Sequence, residues 1–356
     1  MAGLPGESQG RAWRRISYQV VDGSSVFEQF IHKGILMHKL FQIVFLFAVF
    51  AVAPGALTSA VAADEADSQK AVLVTGASSG IGRRITEVLA ENGHFVYAGA
   101  RKDKDLAALN QMDNVEALRL DVTVQADIDA AVARIADAGR GLHGIVNNAG
   151  VAIFSHLNDT KEADIDFVFD VNVYGPYRIN KAFAPLLIES KGRTTTIGSI
   201  SGFLTWPQGG TYTMSKFAVE AYTDTLATEM AETGVQVSVI EPGNFKSEIR
   251  RKVALHAMGK TSDQAGALTA EEQSQLEETI KRNAAMREPD PVADAALHAL
   301  FAESPKRRYM VTPNQEEAEM TIKAAITRIA QLNADQPYSY SREDMVKMLE
   351  EAMEAE

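Results

Sequence analysis

The stretch KAVLVTGASSGIG, residues 70–82, decides the fold. It begins with a short apolar run rich in β-branched side chains, which is typical of a strand buried in a parallel sheet. Three glycines follow, Gly76, Gly80 and Gly82, and the amphipathic pattern IGRRITEVLAEN then ends at Gly93. A turn without Cβ atoms lets backbone N–H groups and a helix N-terminus approach a pyrophosphate. This order predicts a dinucleotide site; a structural tight turn without ligand is the alternative.

The order of strand, turn and helix then repeats along the chain. Helical periodicity covers residues 125–137, 162–188 and 212–232. Strand-like runs lie between these segments: HFVYAGA, VEALRLDV, HGIVNNAG, RTTTIGSI and VQVSVIEPG. Such alternation indicates βαβ units with right-handed crossovers and a sheet covered on both faces. We predict an α/β fold, a doubly wound parallel sheet of the Rossmann type, in a single domain over residues 70–312.

The pattern changes after Pro242-Gly243. Residues 245–285 are charged and helical in parts, DPVADAALHALFAE reads as a helix, and RRYMV as a last strand. Helical patterns near 315–332 and 342–355 then predict a C-terminal helical extension, residues 313–356.

The bulk composition excludes several classes of protein. The chain has 356 residues and a net charge of −12, which argues against a nucleic-acid-binding protein because such proteins are usually basic. It has no cysteine, so it has no disulfide framework, thiolate metal site or cysteine nucleophile. No cluster has the spacing of a metal site, and we predict none.

Residues 1–69 form a leader of different character. A basic flank at Lys39 precedes an apolar run over 40–53, and Ala60-Val61-Ala62 fits an A-x-A cleavage site before acidic residues. This layout predicts a signal peptide, or a membrane anchor if residues 40–62 are not cleaved. The domain that follows is then exported or membrane-anchored, in a periplasm or organelle lumen, and cytoplasmic if the leader is not used. A buried helix is the alternative, and Met37 is a plausible true start.

The stretch TYTMSK places Tyr212 four positions before Lys216, so both side chains lie on one face of a helix. Taken alone, this spacing is common on solvated helix surfaces. It gains weight from Ser199, which lies thirteen positions before Tyr212, and from Asn172, a poor helix former inside a helical segment.

Together these motifs make the chain resemble the short-chain dehydrogenase/reductase family in its short single-domain form, over about residues 70–311. The resemblance rests on motifs in family order: TGASSGIG (75–82), DV (121–122), NNAG (147–150), Asn172, Ser199, YTMSK (212–216) and PG (242–243). Around IEPGNFKSEI and RRYMVTP the sequence looks most like the steroid and retinol dehydrogenase branch.

The resemblance implies four catalytic residues. Tyr212 would be the acid/base, with its pKa lowered by the charge of Lys216 and of the nicotinamide, and Lys216 would also bind the nicotinamide ribose. Ser199 would hold the substrate oxygen, unless it only satisfies backbone at a strand end. Asn172 would hold a water of the proton relay through a local helix irregularity, unless it is an ordinary core asparagine.

The resemblance also implies a cofactor site. Asp121 would accept from the adenine amino group, and Ser247, where the family usually has threonine, would hold the nicotinamide carboxamide. The expected cofactor-binding residues are Thr75, Gly76, Ser78, Ser79, Gly80, Ile81, Gly82, Arg101, Asp121, Val122, Asn148, Ala149, Gly150, Tyr212, Lys216, Pro242, Gly243 and Ser247.

The end of the second predicted strand bears on the choice of nucleotide. An acidic side chain there would bind the ribose 2′-hydroxyl, but Ala100 occupies the expected position and Arg101 and Lys102 follow. Basic side chains without a nearby acid suit a 2′-phosphate, so we predict NADP(H), with NAD possible. Asp103 and Asp105 weaken this signal, and a solvated charged loop is the alternative.

The predicted function is hydride exchange between the nicotinamide and a small-molecule secondary alcohol or ketone, hydrophobic and steroid- or retinoid-like. Expected substrate-pocket residues are apolar: Ile153, Phe203, Trp206 and Phe245. The resemblance further implies a homodimer or homotetramer through the helical segments 162–188 and 212–232. The alternatives are a non-catalytic nucleotide-binding scaffold or sensor on the same fold, and an epimerase or dehydratase, whose turn has a different glycine spacing.

Overall fold

Seven parallel strands form one sheet in the order β3-β2-β1-β4-β5-β6-β7. The computed structural model describes residues 69–261, 266 and 268–354, so the predicted leader signal over 40–62 lies outside the described residues. The strands are β1 (Ala71–Val74), β2 (Phe95–Ala100), β3 (Val115–Arg119), β4 (Gly144–Asn147), β5 (Arg193–Ile197), β6 (Gln236–Pro242) and β7 (Arg308–Val311). The predicted doubly wound parallel sheet is confirmed.

Helices connect these strands and continue past the last one. They are α1 (Gly80–Glu91), α2 (Asp103–Leu109), α3 (Gln125–Asp137), α4 (Glu162–Phe169), α5 (Gly175–Glu189), α6 (Gly210–Met230), α7 (Ile249–Ala257), α8 (Ala270–Ala284), α9 (Asp290–Phe301), α10 (Gln315–Asn333) and α11 (Arg342–Glu354). The segment predicted as one helix over 162–188 is interrupted by a π-helical turn, Asp170–Tyr174, between α4 and α5.

Helix α2 is not indicated by the apolar periodicity of the sequence. It is short, and Leu109 is its one buried residue. Asp103 and Asp105 lie in its first turn, where acidic side chains interact favourably with the positive end of the helix dipole. The acidic part of the stretch after β2 therefore starts a helix, whereas Arg101 and Lys102 lie in the bend before it and Arg101 is exposed.

The core lies on both faces of the sheet because side chains alternate along each strand. Val72 and Val74 belong to one buried cluster, together with Ile85 of α1. Leu73 belongs to the opposite cluster, together with Ile128 of α3. Each fully buried aliphatic side chain of this kind stabilises the fold by about 1.5–3 kcal/mol.

The topology creates a crevice at the carboxyl edge of the sheet. Strand β1 pairs with β2 on one side and with β4 on the other, so the chain winds outward in both directions from β1. The connections after β1 and β4 consequently diverge, and open α/β sheets bind ligands at such a switch point. The glycine-rich turn and the NNAG motif follow these two strands.

No helix within the described part of the chain is long and apolar enough to cross a membrane.

Candidate active site

The glycine-rich turn after β1 has a backbone that favours glycine. Gly76 has φ of 65° and Gly80 has φ of 57°, both in the left-handed region. A Cβ on Gly82 would lie 2.2 Å from Nδ2 of Asn148 and 2.5 Å from the carbonyl oxygen of Gly76. The sequence therefore needs glycine at these positions for the turn to close.

Thr75 and Asn148 fasten the turn to the end of β4. The Thr75 hydroxyl accepts hydrogen bonds from the backbone N–H groups of Asn148 (3.0 Å) and Ala149 (3.1 Å). In return, Nδ2 of Asn148 donates to the carbonyl oxygens of Thr75 (3.0 Å) and Gly76 (3.1 Å). The two motifs are thus joined across the switch point.

The start of α1 and the end of β4 remain partly accessible around this crossing. Small or backbone-presenting residues line the opening: Gly76, Ser78, Ser79, Gly80, Ile81, Asn148, Ala149 and Gly150. A helix N-terminus flanked by small residues is the chemistry that a pyrophosphate requires, so the residues present fit a dinucleotide.

Asp121, which follows β3, has more partners than the sequence predicted. Its Oδ1 accepts from the backbone N–H (3.0 Å) and hydroxyl (2.8 Å) of Thr123, and its Oδ2 lies 3.4 Å from Nη1 of Arg101. Burial pushes the pKa of Asp121 upward, but these hydrogen bonds and the charge of Arg101 outweigh it and hold the pKa below its usual value. The expectation that Arg101 has no nearby acid is therefore wrong.

Val122, the next residue expected to bind the cofactor, is buried beside Gly175.

Helix α6 carries Tyr212 and Lys216. The ammonium of Lys216 is buried and donates to the carbonyl oxygen of Ile197, at the end of β5, over 2.8 Å. The same nitrogen lies 5.6 Å from the ring centroid of Tyr212. Lys216 thereby ties α6 to the strand that leads into Ser199.

A second tyrosine and lysine with the same spacing lie on α5. The Lys181 ammonium is also 5.6 Å from the ring centroid of Tyr177. This pair, however, lies at the surface, where Tyr177 is 47% exposed, whereas Lys216 is 7% exposed. Both pairs have the four-residue spacing, so the spacing does not distinguish them. The pair on α6 differs because Lys216 is buried against β5.

The pKa of Tyr212 departs from the sequence prediction. Burial raises this pKa, while a hydrogen bond with Ser199 and the charge of Arg250 oppose the rise. Burial also lowers the pKa of Lys216 to about 8, against the charge of Glu220. For the chain alone, desolvation dominates the Tyr212 pKa and only Ser199 and Arg250 oppose the rise; the lowering expected from Lys216 together with the nicotinamide stays a prediction.

Ser199 lies directly after β5 in an extended conformation and caps a 3₁₀ turn, Ile200–Gly202. Its hydroxyl accepts from the backbone N–H of Ser201 at 3.0 Å and reaches the carbonyl oxygen of Pro242 at 3.4 Å. These contacts aim the hydroxyl at the crevice edge, toward Tyr212.

Asn172 lies within the π-helical turn, so the helix irregularity implied by the resemblance is present. Its side chain accepts from the backbone N–H of Val151 (2.8 Å) and donates to the carbonyl oxygen of Val151 (2.9 Å) and to the Ser215 hydroxyl (3.0 Å). Both amide hydrogens of Asn172 are consequently used to hold the NNAG loop beside α6.

The residues expected to line the substrate pocket divide into two groups. Ile153 and Phe245 are each 3% exposed, and Phe245 belongs to the hydrophobic core. Phe203 is partly buried and Trp206 is 39% exposed. Phe154, which follows Ile153, lies edge-on to both Trp206 (6.2 Å between centroids) and Tyr212 (6.1 Å). Among these aromatic residues, Phe154 is therefore the one whose ring packs against the ring of Tyr212.

The loop after β6 closes toward the glycine-rich turn. The Ser247 hydroxyl would lie 3.3 Å from a Cβ built on Gly80. The backbone N–H of Ser247 donates to Oδ1 of Asn283 in α8 over 3.1 Å. Ser247 is thus held facing the start of α1, and Pro242 and Gly243 lead the chain to it.

An ion cluster behind α6, in which Glu220 and Glu241 are buried, gave no signal in the sequence. Arg308 of β7 is hydrogen-bonded to Glu220 of α6, and it contacts Glu241 of β6 (2.8 Å) and Asp224 (2.6 Å). Burial, followed by the charge of Glu220, raises the pKa of Glu241 to about 8, while Arg308 opposes the rise. The cluster fastens α6, β6 and β7 together one helical turn beyond Lys216.

Within the described residues, no group of three or more His, Cys, Asp or Glu is arranged to hold a metal ion.

Comparison with known proteins gives a consistent set of relatives. The short chain dehydrogenase family model matches residues 70–257. The mitochondrial D-beta-hydroxybutyrate dehydrogenase of Rattus norvegicus is 33% identical over 265 residues, covering 69% of this chain and 77% of its own. Retinol dehydrogenase 7 of Mus musculus is 32% identical over 252 residues, covering 67% of this chain and 79% of its own.

A solved structure shares the arrangement of strands and helices. The crystal structure of a short-chain dehydrogenase from Streptomyces avermitilis superposes with a TM-score of 0.60 at 28% identity, covering 75% of this chain and 95% of the other.

Proposed function

Because the chain belongs to the short-chain dehydrogenase family, we propose that it is an NADP(H)-preferring oxidoreductase acting on a hydrophobic secondary alcohol or ketone. The coarser activity, that of an NAD(P)-dependent oxidoreductase, follows from the family and its named relatives. The observation that carries the proposal is the convergence of Ser199, Tyr212 and Lys216 at the crevice edge, next to a turn that fits a dinucleotide.

When bound, the nicotinamide supplies or accepts the hydride. The chain supplies the proton transfer. A tyrosine is protonated at neutral pH, and burial raises the pKa of Tyr212 further, so its hydroxyl is in the form that donates a proton to a carbonyl oxygen. The Ser199 hydroxyl accepts from the backbone N–H of Ser201, and its one hydrogen turns from the Pro242 carbonyl oxygen to the same substrate oxygen as charge develops there. A protonated tyrosine is the acid that ketone reduction requires.

Lys216 and Asn172 complete the site from the side of α6. Lys216 holds the end of β5 and presents a buried positive charge beside the Tyr212 ring. Asn172 holds the NNAG loop in place, and the π-helical turn around it supplies the irregular backbone for the proposed water of the proton relay. A non-catalytic scaffold has no need for this four-residue arrangement.

Two basic elements support the preference for NADP(H). Arg101 follows β2 and its guanidinium is about half exposed. Lys252 of α7, which sequence analysis missed, interacts with the same cations: burial and the charges of Arg101 and Lys102 lower its pKa, while the charges of Glu248 and Asp105 oppose the fall. These cations repel one another, and a 2′-phosphate among them would relieve that repulsion. The ion pair between Arg101 and Asp121 acts in the opposite direction, because it partly neutralises Arg101.

Replacing Arg101 with alanine should raise the Michaelis constant for NADPH about tenfold or more, because a charge-assisted contact with phosphate contributes about 1.5–3 kcal/mol. The constant for NADH should change little, since NADH lacks the phosphate. Steady-state rates with each nucleotide at saturating ketone measure the difference. Arg134→Ala is the matched control, because Arg134 pairs with Glu116 on the surface of α3. Equal changes for NADPH and NADH would refute the assignment.

The substrate class rests on the walls beside Tyr212. Phe154 and Trp206 present an exposed aromatic surface next to the tyrosine, which suits a hydrophobic substrate. One observation favours a second class. Arg250 of α7 is the cation that acts on Tyr212, and a cation near the reacting oxygen suits a hydroxy acid, the kind of compound named in the Rattus norvegicus relative.

Pairs of ketones with the same skeleton, one ending in a neutral group and one in a carboxylate, separate these classes. We expect NADPH oxidation to be faster, by kcat/KM, with the neutral and larger ketones. A preference for the carboxylates, lost in Arg250→Ala, would assign the substrate to the hydroxy acids. Absence of turnover with both series and both nucleotides would contradict the proposed function.

Assembly and location extend the proposal. Helices α4, α5 and α6 and the π-helical turn carry exposed large apolar residues, which supports a homodimer or homotetramer: Phe167, Tyr174, Tyr177, Ile188 and Met214. The sequence of residues 40–62 supports an exported or membrane-anchored enzyme domain. Light scattering tests the assembly, and N-terminal sequencing of the fractionated native protein tests the location.

A further inference from the structure

Helix α10, in the C-terminal tail, contacts the loop that follows β6. Oε2 of Glu317 accepts a hydrogen bond from the backbone N–H of Asn244 over 2.8 Å. A Cβ built on Gly243 would lie 2.3 Å from the same oxygen. The carboxylate of Glu317 therefore occupies the space that the missing side chain of Gly243 leaves free.

The same helix contacts the loop that follows Ser199. Nη1 of Arg328 donates to the carbonyl oxygen of Phe203 over 2.5 Å, and the guanidinium stacks 4.6 Å from the ring centroid of Phe217. Between these contacts, Thr321 is 3% exposed and its hydroxyl donates to the carbonyl oxygen of Glu317 over 2.7 Å. One face of α10 is thus seated on the domain along several turns.

Glu317 and Arg328 are eleven positions apart, which corresponds to about 16 Å along a helix. That length reaches from the loop carrying Ser247 to the loop carrying Phe203 and Trp206. The first loop faces the glycine-rich turn, and the second leads into α6 and Tyr212. The tail therefore bridges the two loops that follow the adjacent strands β5 and β6.

We propose that Glu317 and Arg328 are positioning residues, which hold the nicotinamide-side loop and the substrate-side loop in their binding conformations. The proposal rests on the proposed function, because it assigns the two loops to cofactor and substrate. Neither residue takes part in proton transfer. Each removes conformational freedom from a loop before binding, so less freedom has to be lost when the ligand arrives.

Glu317→Ala should weaken NADPH binding about tenfold, because the Asn244 N–H loses its acceptor and the loop before Ser247 is released. Glu317→Gln keeps an oxygen at the same position and should restore most of the affinity. The matched control is Glu319→Ala, since Glu319 pairs with Lys323 on the exposed side of the same helix. Fluorescence titration of each full-length variant with NADPH alone, together with its melting temperature, measures these effects without turnover.

Arg328→Ala should raise the KM for the carbonyl substrate several-fold, with kcat and NADPH affinity close to those of the wild type. Two results would overturn the proposal for Glu317. One is an NADPH affinity that is unchanged in Glu317→Ala. The other is an equal loss of affinity in Glu317→Ala and Glu317→Gln, accompanied by a lower melting temperature. Failure of the wild type to bind either nucleotide would overturn the proposed function and this assignment with it. Equal binding by wild type and Glu317→Ala would overturn the positioning role alone.

Discussion

Replacing Tyr212 with phenylalanine is expected to lower kcat/KM for ketone reduction by about 10² to 10⁴-fold, the usual contribution of a positioned general acid. The substitution removes one oxygen and leaves the ring, which packs edge-on to Phe154. The fold and the affinity for NADPH should therefore stay within about threefold of the wild type. Initial rates and a direct NADPH titration separate loss of chemistry from loss of binding.

Tyr177 on α5 provides an internal control for this experiment. It has the same four-residue spacing to a lysine and the same 5.6 Å distance from ring centroid to ammonium, but it is exposed. Tyr177→Phe should leave kcat/KM unchanged. A near-normal rate in Tyr212→Phe with a good substrate would refute the assignment of Tyr212 as the acid.

Lys216→Ala is expected to lower the turnover rate about a hundredfold and to weaken cofactor binding about tenfold. The substitution removes the buried charge beside Tyr212 and the donor to the Ile197 carbonyl, and leaving a buried acceptor without a partner costs about 1–3 kcal/mol. Lys181→Ala, at the surface pair on α5, should change neither quantity. The two variants are compared by the same rate and titration measurements.

The pH dependence of the wild type offers a second test of Lys216. Its pKa is lowered to about 8, so the side chain is charged below that pH and loses its proton as pH rises through it. The kcat/KM for reduction should therefore fall on an alkaline limb near pH 8. A rate that stays flat to pH 10, with the protein still folded, would contradict this role.

The sequence alone predicted the sheet because each strand carries its own local signal. The runs before Gly76 and after Gly93 are apolar and bounded by glycines, so β1 and β2 could be placed without knowledge of their neighbours. Helix α2 could not be placed in this way, since it is short and Leu109 is its one buried residue.

The candidate site was predictable where motifs carried it and not where distant contacts did. Tyr212 and Lys216 could be found from spacing and family order. The approach of Lys252 to Arg101, the bond from Glu317 to Asn244 and the direction of the Tyr212 pKa depend on residues that meet only in the folded chain. A local sequence pattern does not predict such contacts, because desolvation and long-range contacts arise only in the folded core.

The cluster around Arg308 has a consequence for the time course of synthesis. Domains begin to fold from the N-terminus as the chain emerges from the ribosome. Glu220 and Glu241 emerge before Arg308 of β7. Until β7 is added to the sheet, burial of these two carboxyls is not compensated by the Arg308 cation. The growing chain can therefore assemble β1 to β4 early, but it completes the support behind Lys216 only after β7, which carries Arg308, has been made. A ribosome-bound chain that stops before Arg308 would hold the crevice beside β1 without the ion pairs that fasten α6.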